Sequence, residues 1–147
     1  MIDNTFTLIS RIDGEIRRFI AEELAGDGIT DIVPSQGAII LELMKHGQMP
    51  MNELAHDIDR TPQTVTHLIK KLVKAGYVET RKAPEDNRVT MAVLTEAGIH
   101  LADALCHISE KIYDLQYNGI KEDEIVVLRG ALAQMYANFT GSAVRSD

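Results

Sequence analysis

The chain has 147 residues and a mass of 16.3 kDa, room for one domain of ordinary size or for one domain with helices left over for oligomerisation. Apolar residues at 45%, charged residues at 25% and a mean hydropathy of −0.08 describe a folded soluble protein and exclude wholesale disorder. A formal charge of −7 excludes a general polycation, and a single cysteine, Cys106, excludes an internal disulfide.

No charged leader followed by an apolar run opens the chain. Its apolar runs fall short of the roughly 20 residues that cross a bilayer, so a cytoplasmic protein without a membrane partner is expected. The charge is uneven. Between residues 60 and 88 stand seven basic residues (Arg60, Lys70, Lys71, Lys74, Arg81, Lys82, Arg88) and three acids (Glu79, Glu85, Asp86). That segment carries +4, which leaves −11 for the rest of the −7 total. A basic centre in an acidic molecule is either a solvated helix face or a surface for a polyanion.

Residues 6–24 place Phe6, Ile9, Ile12, Ile16, Phe19 and Ile20 three and four apart, the pattern of an amphipathic helix weakened at Gly14. Gly26, Gly28 and the run to Pro34 break it. Ser35 is a plausible cap for a second helix with Ile39, Ile40, Leu43 and Met44 inward, ended by Gly47. Met49-Pro50 reads as an extended step, and residues 51–58 as a short helix burying Leu54, Ala55 and Ile58. The next helix is delimited by its ends: Thr61 as N-cap, Pro62 at the first helical position, Gly76 after the last turn. Val65, Leu68, Ile69 and Leu72 face inward.

The periodicity then switches to two. Residues 77–82 and 89–94 read as strands of a hairpin with a charged tip. Thr95 caps a long helix over 96–116 with Leu101, Leu105, Ile108, Ile112 and Leu115 apolar, and Asn118-Gly119 breaks it. A last helix over 120–139 carries Val127, Leu128, Ala131, Leu132, Met135 and Phe139, and residues 141–147 look frayed. The expected fold is mostly α with a small β-hairpin wing, in the order α-α-α-α-β-β-α-α. Terminal helices this long find limited core in so small a domain, so docking on a second copy is expected.

Residues 51–61 followed by the capped helix have helix-turn-helix spacing, with small Ala55 where the helices cross. The second helix of such a motif fits the major groove of B-DNA, which is about 12 Å wide. Gln63, Thr64, Thr66 and His67 sit in its first two turns, within reach of base edges, while Pro62 sets the helix entry. Lys70, Lys71 and Lys74 lie further along and suit phosphates. Arg88 at the hairpin tip, with Arg81 and Lys82 on the incoming strand, suits a flanking minor groove. Asp86, two residues away, can hold Arg88 by a charge-assisted bond.

Glu53-Leu54-Ala55, Thr64-Val65-Thr66-His67-Leu68-Ile69, Leu72-Val73-Lys74-Ala75-Gly76-Tyr77-Val78, Arg81, Asp86-Asn87-Arg88 and Leu94-Thr95-Glu96-Ala97-Gly98 together resemble the multiple-antibiotic-resistance regulator (MarR) family. The matches concentrate between residues 53 and 98, and the resemblance extends to the whole helical order. It implies a homodimeric winged helix-turn-helix transcription regulator, with Pro62–Ala75 as recognition helix, Arg88 as wing arginine and Asp86 as its partner. It divides the chain into an N-terminal dimerisation helix and linker (1–34), a DNA-binding lobe (35–95) and C-terminal dimerisation helices (96–147). Two positions depart: His67 stands where members often have arginine, and Lys70 where an acid is common.

The expected partners are therefore double-stranded DNA with a pseudo-palindromic operator, half-sites about 34–36 Å apart, and a second copy of the chain. A repressor released by a small, often aromatic, effector is the leading form. Phe19, Ile39, Leu43 and Tyr113 are candidates for the effector pocket, with core packing as their default role. His100, Asp103 and His107 stripe one helix and are weak candidates for zinc, because His100 to His107 spans about 10 Å and no H-x-x-x-H pair is present. Peroxide-sensing relatives use a cysteine in the N-terminal region, absent here, and Cys106 reads as a partly buried packing residue. No cofactor is expected. A zinc- or redox-responsive regulator and a winged-helix protein-interaction module stand as alternatives, and no acid–base or nucleophilic constellation points to an enzyme.

Overall fold

The computed structural model describes residues 3–143; the end of the tail expected to fray, residues 144–147, lies outside that range. The elements are α1 (Thr5–Gly26), α2 (Pro34–His46), β1 (Gln48–Pro50), α3 (Met51–Asp57), α4 (Pro62–Ala75), β2 (Val78–Lys82), β3 (Thr90–Leu94), α5 (Glu96–Tyr117) and α6 (Glu122–Thr140). The chain divides into two compact units, Met1–Glu110 and Lys111–Asp147.

The first unit is built on α2, α3 and α4 with a three-stranded antiparallel sheet in the order β1-β3-β2. The hairpin pairs Val78 with Leu94 and Lys82 with Thr90. On its other side β3 pairs with β1, Met49 facing Ala92. This third strand is an addition to the two expected. Three residues are too few to show alternation, and the extended step before Pro50 becomes a strand only because β3 offers it a partner.

Ile39, Ile40 and Leu43 of α2, Leu54 of α3, Val65, Ile69 and Leu72 of α4, Val78, Ala92 and Leu101 form the core, each almost fully shielded from solvent. Burying each large aliphatic side chain is worth about 1.5–3 kcal/mol. Gly37 in α2 faces Leu105 of α5, where an added Cβ would lie 3.7 Å from both leucine methyls. The N-cap of α2 is Val33 rather than Ser35, with Pro34 at the first helical position. The Gln36 side chain accepts the Val33 N–H at 2.9 Å, so the orphan donor is met from inside the helix.

Helix α1 buries only Leu24; Phe6, Leu8, Ile9 and Ile12 are exposed. In the second unit α6 starts at Glu122, two residues later than expected, where Glu124 accepts the Lys121 N–H at 3.0 Å. Val126, Val127, Leu128, Leu132, Tyr136 and Phe139 of that helix are exposed. Among the described residues no helix is long and apolar enough to cross a membrane.

Candidate nucleic-acid interface

Two turns position α4. The chain leaves α3 through Asp59, which adopts φ 54°, the left-handed region that aspartate tolerates better than most residues. Arg60 N–H returns to the Ala55 carbonyl at 3.0 Å and Asp59 N–H to that of His56 at 3.2 Å, closing the helix end. Thr61 then caps α4, its hydroxyl oxygen accepting the Thr64 N–H at 3.2 Å. At the far end Gly76, at φ 87°, lets Tyr77 N–H reach the Leu72 carbonyl at 3.0 Å. Both ends lie where the sequence places them.

With 3.6 residues per turn, burial of Val65, Leu68, Ile69 and Leu72 turns Gln63, His67, Lys70 and Lys74 to the opposite face as one ridge. Thr66, Lys71 and Thr64 flank it, and all of these side chains are exposed, as is Pro62. The two threonine hydroxyls are partly engaged. Thr66 donates to the Pro62 carbonyl at 2.9 Å, and Thr64 lies 2.9 Å from the Thr61 hydroxyl. Their methyl groups and free lone pairs are what they can offer a ligand.

The wing carries the remaining cations. Lys82 Nζ donates to Thr90 Oγ1 across the hairpin at 3.1 Å, and Arg81 is held against the Gln48 side chain. Ala83 N–H bonds the Val89 carbonyl at 2.9 Å, closing the tip. Asp86 receives three bonds from Arg88: backbone N–H at 3.0 Å, Nε at 3.1 Å and a terminal nitrogen at 3.3 Å. Those bonds hold the Asp86 carboxyl below its ordinary pKa, the Arg88 side chain contributing first and its backbone N–H next. The guanidinium remains 92% exposed, so it is oriented without being covered. Water screens such an exposed pair, so its consequence is direction rather than stability.

The Leu94-Thr95-Glu96-Ala97-Gly98 segment joins the wing to α4. The Thr95 hydroxyl donates to the Gly76 carbonyl at 2.6 Å and accepts the Gly98 N–H at 3.1 Å. Thr95 N–H bonds the Tyr77 carbonyl at 3.0 Å. Gly98 packs so closely on that carbonyl that an added Cβ would fall within 3.0 Å of its oxygen. The end of α4 and the base of the wing are thereby tied together.

The other sequence candidates are dispersed. Ile39 and Leu43 are wholly inside the core, Phe19 is half-buried on α1, and Tyr113 lies in the second unit edge-to-face with Tyr117. His100, Asp103 and His107 are exposed on α5, where His107 Nδ1 lies 2.8 Å from the Asp103 backbone carbonyl rather than from its carboxylate. Cys106 is half-buried, with Sγ 3.9 Å from Met44 Sδ. A groove of about 560 Å³ opens between α2, α3 and α5, lined by none of the four expected pocket residues. Sequence reasoning missed its lining residues because they come from three separate segments.

Residues 32–90, from the linker before α2 to the start of β3, match the model of the MarR family. The HTH-type transcriptional repressor IacR of Pseudomonas putida is 23% identical over 96 residues, 65% of this chain but 58% of that protein, so the chain spans less than two thirds of this relative. The HTH-type transcriptional regulator MhqR of Bacillus subtilis is 25% identical over 134 residues, 90% of each. Among solved structures, the MepR–DNA complex of S. aureus superimposes with a TM-score of 0.83 at 23% identity, covering 93% of this chain and 99% of that one. The matched segment carries α3, α4, β2 and the wing tip, and the likeness of fold extends over nearly the full length: the chain has a winged helix-turn-helix fold and is similar to the MarR family over residues 32–90.

Proposed function

We propose that this regulator binds a pseudo-palindromic operator as a homodimer, with α4 in the major groove and Arg88 in the adjoining minor groove. The observation that carries the reading is the pairing of two exposed features on a helix and a wing joined through Thr95. One is the Gln63–His67–Lys70–Lys74 ridge opposite the core, and the other is an arginine tip aimed by Asp86. Gln63 is suited to adenine, and Lys70, Lys71, Lys74, Arg81 and Lys82 to phosphates. Residues 35–95 form the DNA-binding lobe, and residues 1–34 and 96–147 hold two copies together. The uncovered apolar side chains of α1 and α6 support that division.

The regulator acts as a repressor released by a small-molecule effector, which changes the spacing of the two lobes and so weakens their fit to successive grooves. Support for this part is the family fold and the repressor IacR. The test is a mobility-shift and footprinting experiment on DNA upstream of the chain's own gene. Wild type should protect two half-sites, and R88A should weaken binding at least tenfold while leaving the dimer intact. R88A binding as tightly as wild type would remove the wing from the interface; no footprint at any duplex would leave a protein-interaction module as the function of the fold.

A further inference from the structure

The groove beside the helix-turn-helix has a feature that neither DNA nor a dimer requires. Glu42 and His46 lie one turn apart on α2, and Asp57 closes α3. One ligand atom from each lies within 4.8 Å of the other two. We propose that Glu42, His46 and Asp57 bind one divalent transition-metal ion of the zinc class, tying α2 to the turn that leads into α4.

The His46–Glu42 contact is within ion-pair range, and its spacing also suits two donors sharing one ion. His46 Nε2 stands 3.5 Å from Glu42 Oε2, beyond the 2.7–3.2 Å of a good hydrogen bond. At metal–ligand distances of about 2.0–2.2 Å, neighbouring donors around a tetrahedral ion lie about 3.3–3.6 Å apart, which that separation matches. Glu42 is also aimed by a basic neighbour: Lys45 Nζ holds Glu42 Oε1 at 3.0 Å, leaving Oε2 turned to His46. Such outer partners orient metal ligands in built sites. Glu42 is the most shielded of the three, its side chain 18% exposed, so it forms the floor of the site with the other two at the rim.

Two carboxylates and a neutral imidazole sum to −2, which a divalent ion neutralises, and a mixed nitrogen–oxygen set suits Zn²⁺, Mn²⁺ or Co²⁺ rather than Ca²⁺. Glu42 and Asp57 both line the groove, which supplies the entry path and room for a water in the fourth position. Binding would draw the end of α3 toward α2. Because Asp57 is two residues from Asp59, whose left-handed turn sets the entry of α4, the ion would fix the angle at which α4 is presented. This last consequence rests on the DNA-binding reading; the site itself does not.

The full chain, stripped with a chelator, is titrated calorimetrically with ZnCl₂, and separately with CoCl₂ while visible absorption is followed. One ion per chain is expected, with affinity reduced at least tenfold in both H46Q and D57N. The two side chains are 51% and 37% exposed, so both variants should keep wild-type helicity by circular dichroism. Absence of binding by wild type up to about 100 μM metal overturns the proposal, as does binding that both variants retain, which would place the ion elsewhere, for example at His100 and His107. If the ion binds but leaves the mobility shift unchanged, the site stands and its coupling to DNA falls.

Discussion

Replacing Gly98 with alanine tests the joint between α4 and the wing. In a helix with open surroundings this substitution stabilises by about 0.5–1 kcal/mol, because glycine loses more conformational freedom on folding. At Gly98 the new methyl meets the Tyr77 carbonyl oxygen within 3.0 Å, its carbon at 3.1 Å and a Leu94 methyl at 3.2 Å. The first two are backbone and cannot rotate away. Overpacking of this kind costs about 1–3 kcal/mol. Moving the carbonyl also strains its 3.0 Å bond from Thr95 N–H, worth about 0.5–1.5 kcal/mol net. The steric and hydrogen-bond losses exceed the entropic gain, so G98A should be less stable by about 1–3 kcal/mol and melt roughly 3–10 °C lower. Gly14 in α1 has nothing within 4 Å of a built Cβ, so G14A should gain a few tenths to 1 kcal/mol from the same chemical change. Urea unfolding at fixed protein concentration reads both. A G98A chain as stable as wild type would refute the close approach and, with it, the tying of helix to wing at this joint.

Charge, titration and assembly give four further expectations. Removing Lys74 deletes one phosphate contact per subunit, so in K74A the slope of log affinity against log salt should become shallower by about 2 for a dimer; an unchanged slope would mean that Lys74 does not face the backbone. Tyr77, desolvated by partial burial and donating to Asp31 at 3.2 Å, titrates above the ordinary tyrosine value of 10. Its contribution to stability is complete below pH 10 and is lost as pH rises through the higher folded value, so ultraviolet titration should show one of the four tyrosines ionising late, and Y77F should abolish that phase. For Asp86 the sign is reversed: its depressed carboxyl favours the Arg88 pairing above the ordinary carboxylate pKa, and that preference is lost only as pH falls below it, so Arg88 should stay aimed throughout the neutral range. Phe139 is 90% exposed, so F139E should leave the folded chain intact while shifting sedimentation from dimer to monomer; a dimer that survives would move the interface away from α6.

Local chemistry made several of these features readable in advance. Thr61, Pro62 and Gly76 delimit α4 because a cap, a pre-set φ and a left-handed exit are each properties of one residue type. Asp86 and Arg88 are two residues apart, so their pairing needs no fold beyond a turn. Longer-range arrangements were not readable. β1 exists only because β3 lies beside it, and Ile39 and Leu43 look like possible pocket walls until packing closes every side of them. Thr95 and Gly98 are a simple helix start in the sequence, yet their reach to Gly76 and Tyr77 depends on where the hairpin returns the chain. His46 acquires company in the same way: Glu42 is its neighbour by helical spacing, whereas Asp57 arrives only when α3 folds against α2. Spacing along one element is written in the order of residues; contact between elements is settled by which apolar faces exclude water together.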